Sequence, residues 1–180
     1  MNKIRFVIVC LIKKEPLKLH ETLINQIDFK FGVKRQKLPA HFTIKAPFEL
    51  ENIDNVNELE NLIENFCKNN HKQKIDIDGF NHFSDRVIYM NINPSKEAVE
   101  IHDKFIDQLK TLHWLEWRKN DGKNKTFHCT VATKFKSNKF NDIWNFVSKY
   151  NPHFNLYFDN ISILKWNNRR WETYREFKLS

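Results

Sequence analysis

Glycine is scarce in this 180-residue chain, which has only 3 such residues. The glycine-rich loops that hold phosphate groups in many nucleotide-binding proteins are missing, since neither a P-loop nor a dinucleotide-binding fingerprint occurs. No segment rich in proline, glycine and serine divides the chain, and the 41% of hydrophobic residues argue against disorder. These features predict a single globular domain over residues 1–180 whose chemistry needs no glycine-rich phosphate site.

Cysteine and long apolar segments are also in short supply. The 3 cysteines, Cys10, Cys67 and Cys129, are odd in number and each lies in an apolar run, which is typical of buried thiols in a reducing compartment. The apolar run at residues 4–12 is interrupted by Arg5 and is too short to span a membrane. We therefore predict a cytoplasmic protein without a membrane segment.

Positive charge is what the chain has in excess. The formal net charge is +8 and the sequence pI is about 9.3. Such an excess suits an anionic partner such as RNA or a nucleotide, although it also serves ordinary solubility.

Hydrophobic periodicity predicts an α+β fold with an internal repeat. A strand-helix-strand-helix-hairpin order occurs twice, in residues 1–92 and 86–179. Loops are expected at residues 28–39 and 113–126, and helices are expected to begin near residues 16, 54, 95 and 137. The predicted strands are residues 4–12, 41–50, 72–83, 86–92, 127–135, 154–166 and 171–179.

Two segments of the chain share one pattern, H-x-T-[IV]-x-x-x-F. The first starts at His41 and the second at His128. Because alternate residues of a strand share a face, His41 should project with Thr43, and His128 with Thr130. If the two strands pack around a pseudo-two-fold axis, each contributes one imidazole and one hydroxyl to a single cleft.

This set of side chains suits phosphodiester chemistry without a metal. Two imidazoles can act as general base and general acid near neutral pH, and threonine hydroxyls can donate to phosphate oxygens as negative charge develops. A metal site is not predicted, because His128 and Cys129 are adjacent and face opposite ways on a strand, and no further ligand pair occurs.

The segments PAHFTIKAPF and FHCTVATKF together resemble the two signatures of the two-histidine phosphoesterase superfamily, which includes the RNA 2′,3′-cyclic phosphodiesterases, also called 2′-5′ RNA ligase-like proteins. The closing segment ISILKWNNRRWETYREFKL resembles that family's terminal hairpin. The resemblance implies a bilobal fold with two antiparallel sheets lining a central cleft and helices outside. It also implies catalytic roles for His41, Thr43, His128 and Thr130. It leaves the substrate open.

Basic and aromatic side chains near the two motifs are candidates for substrate binding. Two lysines share strand parity with motif residues, an arginine lies in the loop that leads to the first motif, and the loop before the second motif interleaves tryptophan with basic residues, as single-stranded RNA sites do. The alternative is that the lysines are solvated and the tryptophans pack on the preceding helix. The candidates are Lys45, Lys134, Arg35, Trp117, Arg118 and Lys119.

We therefore predict a monomeric, cofactor-independent phosphodiesterase that hydrolyses a 2′,3′-cyclic phosphate on an RNA end or a nucleotide. The same groups could run the reverse 2′-5′ ligase reaction. Two alternatives stay open: a non-catalytic RNA-binding module on the same fold, and an enzyme that acts on small cyclic nucleotides or oligonucleotides. The sequence does not assign the acid and the base, nor the position of the phosphate in the product.

Overall fold

Two four-stranded antiparallel sheets and four α-helices make up the fold in a computed structural model that describes residues 3–119 and 121–180, without the side chain of residue 53. The strands are β1 Ile4–Leu11, β2 His41–Leu50, β3 Gln73–Phe83, β4 Val87–Pro94, β5 His128–Thr133, β6 His153–Phe158, β7 Asn160–Trp166 and β8 Trp171–Lys178. The helices are α1 Lys14–Phe31, α2 Ile53–Lys68, α3 Lys96–Leu109 and α4 Phe140–Val147.

The two sheets are built in the same way. Sheet A has the strand order β2-β1-β7-β8, and sheet B has the order β5-β4-β3-β6. In each sheet, the strand that carries an H-x-T motif lies at an edge, beside the strand that precedes it across one helix. The prediction of an α+β fold with two antiparallel sheets is confirmed.

All four helices contribute to one hydrophobic core. Their buried residues share this core with side chains from both sheets. In β1, alternate residues such as Ile8 and Cys10 point into this core, whereas Val7 and Val9 lie on the opposite face with Leu164 of β7. Burial of both faces explains why residues 6–12 are apolar at every position. No helix of the described residues is long and apolar enough to cross a membrane.

The strand predicted at residues 154–166 is wrong. The chain forms two strands there, separated at Asp159, and β6 pairs with β3 in sheet B whereas β7 pairs with β1 in sheet A. A strand that switches sheets needs only a local bend, so no glycine or proline marks the crossing. The expected hairpin with the last strand is confirmed for β7 and β8.

The loop before the first motif is shorter than predicted. Helix α1 continues through the expected loop start at residue 28 and ends at Gly32, which has a φ of 63°. The Gly32 amide donates a hydrogen bond of 2.8 Å to the carbonyl of Asp28, as in helices that end in a left-handed residue. The connection to β2 is therefore residues 32–40.

Candidate active site

The first motif fixes its imidazole through the backbone just before it. His41 begins β2 and is 7% exposed, and its Nδ1 lies 2.6 Å from the carbonyl oxygen of Pro39. A carbonyl oxygen only accepts hydrogen bonds, so Nδ1 carries the proton. Nε2 is therefore the ring atom that is left for proton exchange.

The second motif repeats this arrangement. His128 begins β5, is half-buried, and places Nδ1 2.8 Å from the carbonyl oxygen of Thr126. In both motifs the acceptor lies two residues before the histidine. Both rings therefore have the same tautomer and the same free atom, Nε2.

A β-bulge follows the threonine of the first motif. In the register of β1 and β2, Val9 lies opposite Thr43 and Ile8 lies opposite Lys45, so Ile44 is the extra residue. His41 and Thr43 share the face of sheet A that carries Val9, away from the helices. The bulge turns Lys45 to the other face, with Ile8.

The second motif has a bulge at the corresponding place. Tyr89 of β4 lies opposite Thr130 and Ile88 lies opposite Ala132, so Val131 is the extra residue. In both motifs, the histidine and the threonine share one face of the strand, and the alternation of faces is interrupted at the Ile or Val that follows. Bulges are common next to active sites because they redirect the strand.

The two motifs adjoin across the edges of their sheets. The ring of Phe42 stacks on Phe127 with centroids 4.6 Å apart. Burial raises the pKa of the Cys129 thiol to about 12, opposed by a hydrogen bond from the backbone of His41. The charge of His128 also lowers the pKa of His41, so the two rings lie within electrostatic reach.

Both imidazoles are held neutral near pH 7. Burial lowers the pKa of His41 to about 4, opposed by its bond to Pro39, and the charges of His20 and His128 lower it further. Burial also lowers the pKa of His128, opposed by its bond to Thr126, and Lys125 adds to the lowering. Each neutral ring with its proton on Nδ1 offers a lone pair on Nε2, which suits a general base.

The carbonyl of Thr130 is held by two side chains that sequence reasoning did not select. The Nε2 atom of His20, which is 2% exposed in α1, lies 2.9 Å from this oxygen, and Gln36 donates to it over 2.7 Å. Helix α1 and the loop at residues 32–40 thereby fix the second motif. The spacing of His20 from Leu23 and Ile27 places it on the buried face of α1 and was the available signal.

Two aromatic rings of sheet B contact His128. Phe83 meets it edge to face at 5.0 Å, and Tyr89 lies at 5.2 Å. Phe83 is 39% exposed, so an apolar face remains open beside the imidazole. No sequence pattern assigns Phe83 to the site, because this residue lies at the end of β3, far from both motifs along the chain.

Lys45 does not approach the cleft, and this expectation is wrong. Its side chain is fully buried, and its Nζ lies 2.8 Å from a carboxylate oxygen of Asp121. Burial alone would raise the pKa of Asp121, but hydrogen bonds from Lys45 and from the amides of Arg118 and Ala46 lower it. The expectation that Lys45 shares a strand face with Thr43 failed because the extra residue at Ile44 moves Lys45 to the opposite face.

Trp117 is also outside the cleft. It is half-buried on the core side, with the ammonium groups of Lys45 and Lys110 5.3 and 5.8 Å from its ring centroids. Trp114 and Trp117 are both partly buried against the core, which favours the alternative that these tryptophans pack on the protein, and contact of Trp117 with substrate stays a prediction. Arg118 and Lys119 are exposed beside it, and their contact with substrate stays a prediction.

Lys134 and Arg35 are both exposed on the protein surface. Lys134 follows the end of β5 with a φ of 58° and is exposed, and the bulge at Val131 removes its expected parity with Thr130. Arg35 is exposed and bonds to Asn25 over 3.0 Å. Both line one groove beyond the motifs.

Comparisons with known proteins agree with the motif. The model of the 2′-5′ RNA ligase superfamily matches residues 15–170. A protein of Bacillus licheniformis, provisionally named a phosphoesterase, is 23% identical over 169 residues, which cover 91% of this chain and 94% of the relative. A protein of Bacillus pumilus with the same provisional name is 22% identical over 168 residues, which cover 91% and 93%.

Solved structures share the fold at low sequence identity. A crystal structure of a phosphoesterase superposes with a TM-score of 0.66, 12% identity and 99% coverage of both chains. LigT of E. coli in complex with 3′-AMP superposes with a TM-score of 0.64, again at 12% identity and with 99% of both chains covered. With the match of the superfamily over most of its length, this chain belongs to the 2′-5′ RNA ligase superfamily.

Proposed function

We propose that this protein is a metal-independent phosphodiesterase that opens a 2′,3′-cyclic phosphate at an RNA end or on a nucleotide. The observation that carries the proposal is the pair of adjoining H-x-T motifs, each with its imidazole anchored through Nδ1 to a backbone carbonyl. The LigT structure with 3′-AMP supports a ligand that carries phosphate on the ribose. The family and fold indicate phosphoesterase activity of the 2′-5′ RNA ligase type.

In the proposed reaction, Nε2 of one histidine accepts a proton from water as the water oxygen attacks phosphorus. The bond between phosphorus and one ribose oxygen breaks, and the other histidine gives its Nε2 proton to that oxygen. The hydroxyls of Thr43 and Thr130 donate to the non-bridging oxygens, where negative charge increases. The proton taken from water balances the one given to ribose, so the charge of the pair is unchanged, and the base then loses a proton to solvent while the acid gains one before the next turnover.

The environment of the two rings indicates which histidine is the base and which is the acid. His41 is the more deeply buried and lies near two other imidazoles, so it resists protonation and suits the base. His128 is half-buried, and a bound phosphate anion would favour its protonated form, so it suits the acid. In the reverse, ligating direction the roles exchange.

Ring opening in EDTA, followed as conversion of the cyclic phosphate to a ribose phosphomonoester, tests the proposal. The wild-type protein is expected to hydrolyse a 2′,3′-cyclic mononucleotide or an RNA with a cyclic end, and His41→Ala and His128→Ala are each expected to lose about 10²–10⁴-fold in rate. His153→Ala is the matched control, because His153 is exposed on β6. Full activity in both motif variants, or RNA binding without any turnover, would contradict the proposed chemistry and favour the binding-module alternative.

A further inference from the structure

A groove of about 730 Å³ lies at the other end of the motif strands from the two histidines. Thr133, the last residue of β5, and Pro47 of β2 are in its wall. The bulges shorten both spans: Thr133 and His128 lie opposite β4 residues four positions apart, or roughly 13 Å, and Phe48, which follows Pro47, lies opposite a β1 residue five positions from the partner of His41, or roughly 16 Å. Neither histidine lines the groove, but Gln36, Lys37 and Leu38 of the loop that leads to His41 also lie in its wall.

Two tryptophans and five cationic side chains line this groove, which we call the tryptophan groove. The tryptophans are Trp166 and Trp171, which pair across the hairpin of β7 and β8. The cationic residues are Arg5, Lys34, Arg35, Lys37 and Lys134.

The charge of the tryptophan groove is largely uncompensated. No carboxylate of the described residues lines it, and the nearest ones in the adjoining groove that shares Lys34, Arg35 and Lys37 are Asp28 and Glu172. Within residues 3–119 and 121–180, only Arg35 of the five cationic residues forms an ion pair, at 3.5 Å from Asp28. Concentrated positive charge without acidic partners attracts a polyanion and releases its counterions.

The aromatic rings lie next to these charges. The centroids of Trp166 and Trp171 are 5.6 Å apart. Lys37 places its Nζ 5.1 Å from the ring of Trp166, and the Cζ of Arg5 is 5.6 Å from the ring of Trp171. Indole surfaces alternating with cations offer stacking for bases and charge for phosphates, which is the combination that single-stranded nucleic acid requires.

We infer that the tryptophan groove binds the nucleotides of a single-stranded RNA that precede its reactive end, so that an RNA end, not a mononucleotide, is the preferred substrate. The inference rests on the proposed function for the position of the reactive end. A 2′,3′-cyclic phosphate closes the 3′ end of a strand, so the rest of the strand lies on its 5′ side. The groove, roughly 13–16 Å along the strands from the histidines, lies where a strand of a few nucleotides would continue.

Binding of an unreactive RNA tests the groove independently of catalysis. The probe is a fluorescent ten-nucleotide RNA with a 3′-hydroxyl, followed by anisotropy at several salt concentrations. Trp171→Ala is expected to weaken binding on the order of tenfold, with recovery in Trp171→Phe, because a stacked base loses its platform. Lys134→Gln and Lys37→Gln are each expected to reduce the salt slope by about 1, whereas Lys96→Gln on α3 should not. Unchanged RNA affinity in the groove variants, or equal binding of polyglutamate, would overturn the inference.

Turnover then separates this inference from the proposed function. The wild-type kcat/KM is expected to be higher for a decanucleotide with a cyclic end than for a cyclic mononucleotide, and the groove variants should lower only the decanucleotide value. Equal losses on both substrates would overturn the inference while the phosphodiesterase assignment stands. Loss of RNA binding in the groove variants, in a protein that turns over neither substrate, would support the groove and overturn the proposed chemistry.

Discussion

At the residue scale, each of the two catalytic candidates is oriented by a hydrogen bond from its Nδ1 atom. The Nδ1–H of His41 donates a hydrogen bond to the carbonyl of Pro39, and the Nδ1–H of His128 donates one to the carbonyl of Thr126. These bonds orient each ring and fix its tautomer, so that only Nε2 exchanges protons. Orientation of this kind is what acid–base catalysis requires of a side chain before pKa matters.

The pKa directions predict an acidic optimum for kcat/KM with a bell-shaped profile. Catalysis needs one imidazole neutral and the other charged. The acidic limb is set by His41, which becomes protonated only as the pH falls toward its pKa of about 4. The alkaline limb is set by His128, whose pKa is lowered from the ordinary histidine value of 6.5, so it loses its proton as the pH rises through that lowered pKa. The measurement is kcat/KM for a cyclic mononucleotide from pH 3.5 to 9, with circular dichroism as the folding control. A flat profile between pH 5 and pH 9 would contradict the scheme.

The threonine hydroxyls give a second prediction at this scale. Thr43→Ala and Thr130→Ala should each lower kcat by about 10²–10³-fold, because each removes one donor to the developing phosphate charge. Thr43→Ser and Thr130→Ser keep the hydroxyl and should stay near the wild-type rate. Serine variants as slow as the alanine variants would show that the methyl group, and not the hydroxyl, is needed.

At the scale of elements, the bulges determine which side chains reach the cleft. Alternation along β2 correctly puts His41 and Thr43 on one face, but it fails at Lys45 because Ile44 is an extra residue. A bulge depends on the partner strand, so the sequence of one strand does not reveal it. The same limit applies to Asp159, where the chain leaves sheet B for sheet A without a turn residue.

The buried pair of Lys45 and Asp121 fastens the loop at residues 113–126 to β2, and its removal tests this structural role. Lys45→Ala should reduce the free energy of unfolding by about 3–5 kcal/mol, because it leaves a buried carboxylate without its partner. The double variant Lys45→Met and Asp121→Leu should recover most of this loss. Urea unfolding measures both.

An exposed lysine provides the control for that experiment. Lys134→Ala should change the free energy of unfolding by less than about 0.5 kcal/mol. If Lys45→Ala were as stable as wild type and only raised KM, Lys45 would be a phosphate ligand, as the unbulged strand suggested.

At the scale of the whole molecule, the repeated motif made the site predictable, whereas no motif marked the residues of the groove. Two matching segments identify two strands that must meet, and each lies at the edge of a sheet with the same construction. The tryptophan groove instead collects residues from β1, the loop at residues 32–40, the end of β5 and the last hairpin. Residues this distant along the chain share no sequence pattern, so only the fold brings them together.

The central claim is that two histidines from different sheets act as one catalytic unit, and a double-mutant cycle tests it most directly. The rates of wild type, His41→Ala, His128→Ala and the double variant are compared on one 2′,3′-cyclic nucleotide in EDTA. Residues that act as a unit are strongly non-additive, so each single variant should lose nearly as much as the double variant. Losses that multiply independently, or a double variant that retains the wild-type rate, would contradict the account.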